Sequence, residues 1–236
     1  MEIREGFIIG VFNYCDRWCE TCALTSYCRV FADMARADAG MDPNMAPVVN
    51  ATPAVFDGPR APMKWLEDVL VEMNGVAGGL LTREEIAACE PRMAAAHEQI
   101  YERAKAYCLW AHDGVGQLQR GGRHDATDPV SVIFWFSSLN ASKIRRALSG
   151  LAEFDGDREL PPDHEGAAKV ALVGIDRSYA AWQQLVAERR VSAGQAQPCL
   201  EELAWLRVQL EAAIPNARGF VRPGFDEPEA VAGLRS

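Results

Sequence analysis

The stretch DPVSVIFWF, residues 128–136, decides the fold class. Asp128 followed by Pro129 is a helix start, because an Asp side chain can cap orphan backbone N–H groups and Pro is preset for the first helical turn. The run Val132-Ile133-Phe134-Trp135-Phe136 that follows is apolar on every side, which suits a helix at the centre of a bundle rather than on its rim. That helix is expected to run to Leu151. Downstream, residues 155–163 hold Pro161 and Pro162 and read as a turn. Apolar positions then recur at helical spacing over 164–190 and 198–214, the last helix opening at Pro198 and stopping at Pro215. Residues from Asn216 onward are irregular and read as a tail along the surface.

Upstream the same signals continue. Trp65, Leu66, Val69, Leu70 and Met73 form one stripe over 63–76, ended by Gly75, Gly78 and Gly79. Thr82 with Glu85 is a capping box opening a segment to about Gln119, with a break at Pro91. Amphipathic helices joined by short turns bury their stripes against one another. The expected fold class is therefore all-α, a helical bundle of four to five helices with a small N-terminal Cys-rich metal-binding arm. Strand signals are confined to residues 7–12, a short strand or an apolar anchor. Five prolines between Gly40 and Pro62 mark an extended connector. The domain reading is an arm over 1–39, a Pro-rich connector over 40–62, and a bundle with its tail over 63–236.

Composition excludes several functions. With 236 residues, 24 Lys plus Arg and 33 Asp plus Glu, the chain carries a net charge of −9. That balance argues against nucleic acid as partner, since displacing counterions needs a basic face. The densest basic group, Lys143, Arg145 and Arg146, reads as a solvated helix face. No apolar run approaches the ~20 residues a membrane-spanning helix needs. Glu2 and Glu5 beside Arg4 do not suit a secretion signal, so a cytoplasmic location is expected, where thiols stay reduced.

Seven cysteines in such a compartment do not suggest disulfides. Cys89, Cys108 and Cys199 are dispersed and read as small buried hydrophobes. Cys15, Cys19, Cys22 and Cys28 instead form C-x3-C-x2-C-x5-C, four thiols within fourteen residues, which points to thiolate ligation of a metal centre. A continuous helix would place Cys15 and Cys22 ~10 Å apart along its axis and turn Cys28 to the far side. The segment should therefore be a loop that enters a helix near Cys28. Structural zinc usually takes two separated C-x2-C knuckles, whereas crowded thiols resemble the runs that hold a [4Fe–4S] cube. A [4Fe–4S] cluster is the expected cofactor and zinc the alternative.

Two families share part of this pattern. Cys15-x3-Cys19-x2-Cys22 resembles the radical-SAM signature, in which three cysteines leave one iron open for S-adenosylmethionine. Thr21 stands where that family prefers an aromatic residue, Cys28 can take the fourth iron, and the chain lacks alternating strands. Cys19-x2-Cys22-x5-Cys28 is similar to the cysteine trio of the iron–sulfur nucleases related to RecB. Those need a Glu-x-Lys pairing, and none of Lys64, Lys105, Lys143 or Lys169 has Glu two positions before it. Neither family is adopted; both add weight to iron over zinc.

Other groups point to no reaction. His97, Glu98, Glu102, Lys105, Cys108 and His112 lie along one helical segment and read as polar residues at the core's edge; Cys108 and His112 share a face, and a Cys–His nucleophile pair using Cys108 stays open with nothing in the sequence to single it out. No His has Glu three positions before it, so a di-iron carboxylate bundle is excluded. Asp176 and Arg177 interrupt an apolar stretch, and each is expected to meet a partner on another helix as a buried ionic group with a structural role in the bundle core. The functional expectation is a cytoplasmic metal-binding protein, its cluster serving redox, sensing or structure with a redox or other protein partner. The alternative is a zinc-stabilised interaction module without catalysis.

Overall fold

The computed structural model describes residues 1–38, 94–116, 118, 125–152 and 163–233. The expected connector, the stripe over 63–76, the Thr82 capping box, the Pro91 break, Cys89 and the Pro161–Pro162 turn lie outside these residues. Contacts divide the chain into one compact unit of Met1–Phe31 with Arg92–Ser236, and a second of Ala32–Pro91. Only the C-terminal part of helix α1, Arg29–Asp38, belongs to the described portion of the second.

Four long helices build the first unit: α2 Ala95–Gly116, α3 Pro129–Ala152, α4 Asp163–Ala187 and α5 Ala193–Ala213. They close a ring in which α2 packs on α3, α3 on α4, α4 on α5 and α5 back on α2. The chain is thus mostly helical, with a bundle at its centre. No described helix is long and apolar enough to cross a membrane. Ile133, Ile144, Leu148, Leu172, Leu185 and Leu203 are fully buried between the helices. At the centre Trp182 Nε1 donates to the Tyr107 hydroxyl at 3.2 Å, so both large rings are buried with this polar contact made. Arg103 joins α2 to α5 through a two-point bond with Glu202 (2.7 and 2.5 Å), its guanidinium lying 3.6 Å over the Trp205 ring. The most extensive packing is between α3 and α4. A Cβ at Gly174 would run into Asn140 Oδ1 and lie 2.8 Å from the Phe136 ring, so only glycine lets these backbones meet.

Helix α3 starts where the sequence indicates. Asp128 Oδ2 accepts from the Ser131 N–H at 3.0 Å, and Oδ1 accepts from Arg190 at 2.8 Å beyond the end of α4. Burial works against the Asp128 charge, but the Arg190 and Ser131 bonds outweigh it and hold the carboxyl below its usual range. A carboxyl lowered on folding stabilises the fold above its ordinary pKa, and that contribution is lost as acid protonates it. Asp128→Ala should therefore lower stability by about 1–2 kcal/mol at neutral pH, the usual range for a lost cap. The deficit should shrink as the pH falls below the ordinary carboxylate range. Urea unfolding at the two pH values checks this; an unchanged midpoint at neutral pH would contradict it.

Helix α5 departs from expectation. It begins at Ala193 rather than Pro198, because Ser192 and Gln195 form a reciprocal capping box, the Ser192 Oγ taking the Gln195 N–H at 3.3 Å and the Gln195 Oε1 taking the Ser192 N–H at 2.9 Å. Pro198 then lies in the second turn, where the residue four back is Gly194. The N-terminus also adds a small β element. Strands β1 Ile3–Arg4 and β2 Phe7–Ile8 pair antiparallel about Glu5 and Gly6, both with positive φ as a two-residue hairpin turn requires. The tail is more ordered than its sequence indicates. A short helix α6, Pro228–Ala232, buries Val231 against Ile8, Val11 and Leu24 of the arm.

Candidate metal centre

Three single-turn 3-10 segments, Val11–Asn13, Cys19–Thr21 and Thr25–Tyr27, set the path of the cysteine arm. Each reverses the chain within one turn, which no continuous helix could do. Cys15 follows the first turn. Cys19 opens the second and Cys22 closes it; Cys28 closes the third, and α1 begins at the next residue. All four cysteines line one small apolar hollow of about 20 Å³. Phe12, Leu24, Phe31 and Phe225 complete much of its wall.

The thiols are free and half-buried. Burial pushes Cys19 up to about 11, with further upward pressure from Cys15, Cys22, Glu20 and Cys28. Burial also raises Cys22, opposed by the Leu24 N–H that its Sγ accepts at 3.4 Å, while Asp16, Cys15 and Cys28 push it higher. The upward pressure on Cys19 and Cys22 suits a bound cation, since positive charge reverses the effect and deprotonates a coordinating thiol. Among the described residues, no three His, Cys, Asp or Glu side chains are gathered closely enough to hold a metal ion.

Trp18 supplies a second observation on fit. It is 2% exposed and forms part of the hollow's wall, and its indole N–H has no hydrogen-bond partner among the described residues. A buried unpaired donor is costly, and a thiolate or sulfide acceptor in the hollow would satisfy it. The donor set and this orphaned N–H both fit an anionic sulfur-rich group.

The arm is docked on the bundle through specific contacts. Trp18 stacks on Trp135 (5.1 Å between centroids) and meets the Phe136 edge at 6.2 Å. Trp135 Nε1 donates to the Asp16 carbonyl at 2.8 Å, and Arg177 pairs with the Asp16 carboxylate at 3.1 Å. Tyr14 packs on Phe220 and donates to Asp163, which also takes both arms of Arg146. A Cβ at Gly166 would collide with the Tyr14 ring, so this glycine lets the arm lie close to α4.

Lys143 is not on a solvated face. It is 4% exposed and donates to the Asn13 carbonyl at 2.9 Å. Burial pulls its pKa down to about 8, helped by the Arg146 charge and opposed by Cys15. Asp176 and Arg177 lie at the surface rather than in the core, and of their ion-pair partners only Arg207 is on another long helix, since Arg218 lies in the 3-10 turn Ala217–Gly219 and Asp16 in the arm. Asp176 takes Arg218 at 2.6 Å and Arg207 at 3.7 Å, Arg177 reaches the arm, and their side chains are 41% and 54% exposed. One turn of helix apart from the buried stripe, they offered no sequence signal separating edge from core. Beside the arm lies a cleft of about 980 Å³ that shares Asp16, Trp18, Cys22, Leu24 and Phe225 with the cysteine hollow and reaches Arg177, Gln184 and Arg222. The sequence held no pattern for it, since its walls come from the arm, α3, α4 and the tail.

No protein family, curated protein or solved structure matches this chain.

Proposed function

We propose that this chain is a cytoplasmic iron–sulfur protein in which Cys15, Cys19, Cys22 and Cys28 hold a [4Fe–4S] cluster. The observation that supports the reading is that all four cysteines line one apolar hollow. Their crowded spacing, with a single C-x2-C pair, resembles the runs that hold a [4Fe–4S] cube, whereas structural zinc usually takes two separated knuckles. The orphaned Trp18 N–H supports an acceptor in that space.

When bound, such a cluster supplies one-electron redox chemistry at a potential set by its surroundings. The chain's own residues account for the rest. The cysteines bind; the Leu24 N–H donates to the Cys22 sulfur; Phe12, Phe31 and Phe225 keep water out. Lys143 places a buried cation near Cys15 that offsets negative charge. Four protein ligands leave no iron open, which favours electron transfer, redox sensing or architecture over substrate activation, with a protein as the redox partner.

Anaerobic purification tests this reading. The protein should be brown, bleach with dithionite, and keep its colour in EDTA. A colourless protein that yields zinc to the chelator, its arm then becoming protease-sensitive, would mean a zinc-stabilised interaction module instead.

A further inference from the structure

Cys108 reads in the sequence as a buried hydrophobe, yet it stands in a polar chain at the α2–α3 seam. Its Sγ lies 3.6 Å from Ser138 Oγ, which in turn lies 3.4 Å from His112 Nε2. Ser137 Oγ lies 4.0 Å from the same sulfur, and its hydroxyl proton is committed to the Phe134 carbonyl at 2.9 Å. His112 is held by stacking on Phe134, with 4.2 Å between centroids and 19° between planes. With neutral imidazole accepting at Nε2, donation runs from thiol to Ser138 hydroxyl to His112. This is the arrangement of an activated nucleophile: a weak acid, a base within reach through one hydroxyl, and a third group fixing the base.

Access matches the chemistry. Cys108 and His112 are half-buried and Ser138 is exposed, so small molecules reach the sulfur from solvent. Leu109, one helical turn from His112, is 69% exposed and gives the approach an apolar side. Cys199, in contrast, is 5% exposed in the bundle core.

We propose that Cys108, Ser138 and His112 form a nucleophilic thiol site that takes small, uncharged carbon electrophiles such as alkyl halides and enones. With an alkyl halide, the sulfur attacks carbon, an S–C bond forms, the carbon–halogen bond breaks and halide leaves. The thiol proton passes through Ser138 to His112, which becomes imidazolium. The site is separate from the four arm cysteines and stands whether or not they hold a cluster.

The supporting electrostatics agree in sign. Burial raises the Cys108 pKa, but hydrogen bonds from His112 and Ser138 outweigh it and leave the thiol below its ordinary value. Cys199 is pushed up to about 11, mainly by burial. Cys108 therefore carries the larger thiolate fraction near neutral pH, an advantage that the weaker intrinsic nucleophilicity of a more acidic thiol offsets only in part.

The test is iodoacetamide labelling of the intact protein, with rates read residue by residue by mass spectrometry. Cys108 should alkylate at least ~10-fold faster than Cys199. In His112→Gln and Ser138→Ala chains the Cys108 rate should fall several-fold while the Cys199 rate stays unchanged; a variant that fails to fold would raise Cys199 labelling and be recognised by it. The proposal is overturned if wild-type Cys108 labels no faster than Cys199, or if folded variants label Cys108 at the wild-type rate.

Discussion

A Cys22→Ser chain purified without oxygen is expected to lose nearly all of the iron that the parent chain retains, and its visible colour with it. Cys22 closes the second 3-10 turn, and its sulfur accepts the Leu24 N–H. It also lies in the wall shared by the cysteine hollow and the neighbouring cleft. Serine keeps the local shape but replaces a soft thiolate by a hard, weakly acidic hydroxyl, so one corner of the centre loses its ligand. Cys199→Ser is the matched control. That sulfur is buried in the bundle, far from any ligand set, so its replacement should cost about 1–3 kcal/mol of stability and leave iron content unchanged. Equal iron in parent and Cys22→Ser chains would remove Cys22 from the ligand set.

Trp18→Ala should release the arm while leaving the bundle folded. The indole is buried, stacks on Trp135 and meets the edge of Phe136, so truncation opens a large cavity at the seam between arm and α3. Such a change costs about 3–5 kcal/mol, with aromatic stacking included. Other polar arm contacts, among them the Lys143 and Trp135 bonds to carbonyls of Asn13 and Asp16, the Arg177 pair and the Tyr14 bond to Asp163, are each worth only ~0.5–3 kcal/mol and do not replace it. Amide exchange in residues 11–28 should accelerate by more than ~100-fold, while the core of α3 and α4 keeps its protection. Unchanged exchange in the arm would show that Trp18 is not its anchor.

How far the sequence could be read followed from the range of the interactions. Asp128-Pro129 and the apolar run after it are local signals, and α3 forms where they stand. Residues 164–190 carry helical periodicity, and α4 occupies Asp163–Ala187. The start of α5 was misplaced because Pro198 is a conspicuous boundary, while Ser192-x-x-Gln195 is a quieter one that satisfies more orphan N–H groups. The cysteine spacing pointed to a turning path, and three 3-10 turns provide it. What the sequence did not carry was anything set by docking. Lys143 looked solvated until Asn13 was brought over it, and Cys108 looked inert until α3 placed Ser138 beside it. Phe225 and Val231 belonged to an unstructured tail until they closed on the arm. Long-range pairings of this kind have no period or spacing to read.

The central claim is tested most directly by elemental and acid-labile sulfide analysis of the protein purified under strict anaerobiosis. The account predicts about four irons and about four sulfides per chain, with negligible zinc. One zinc per chain with no sulfide would contradict it.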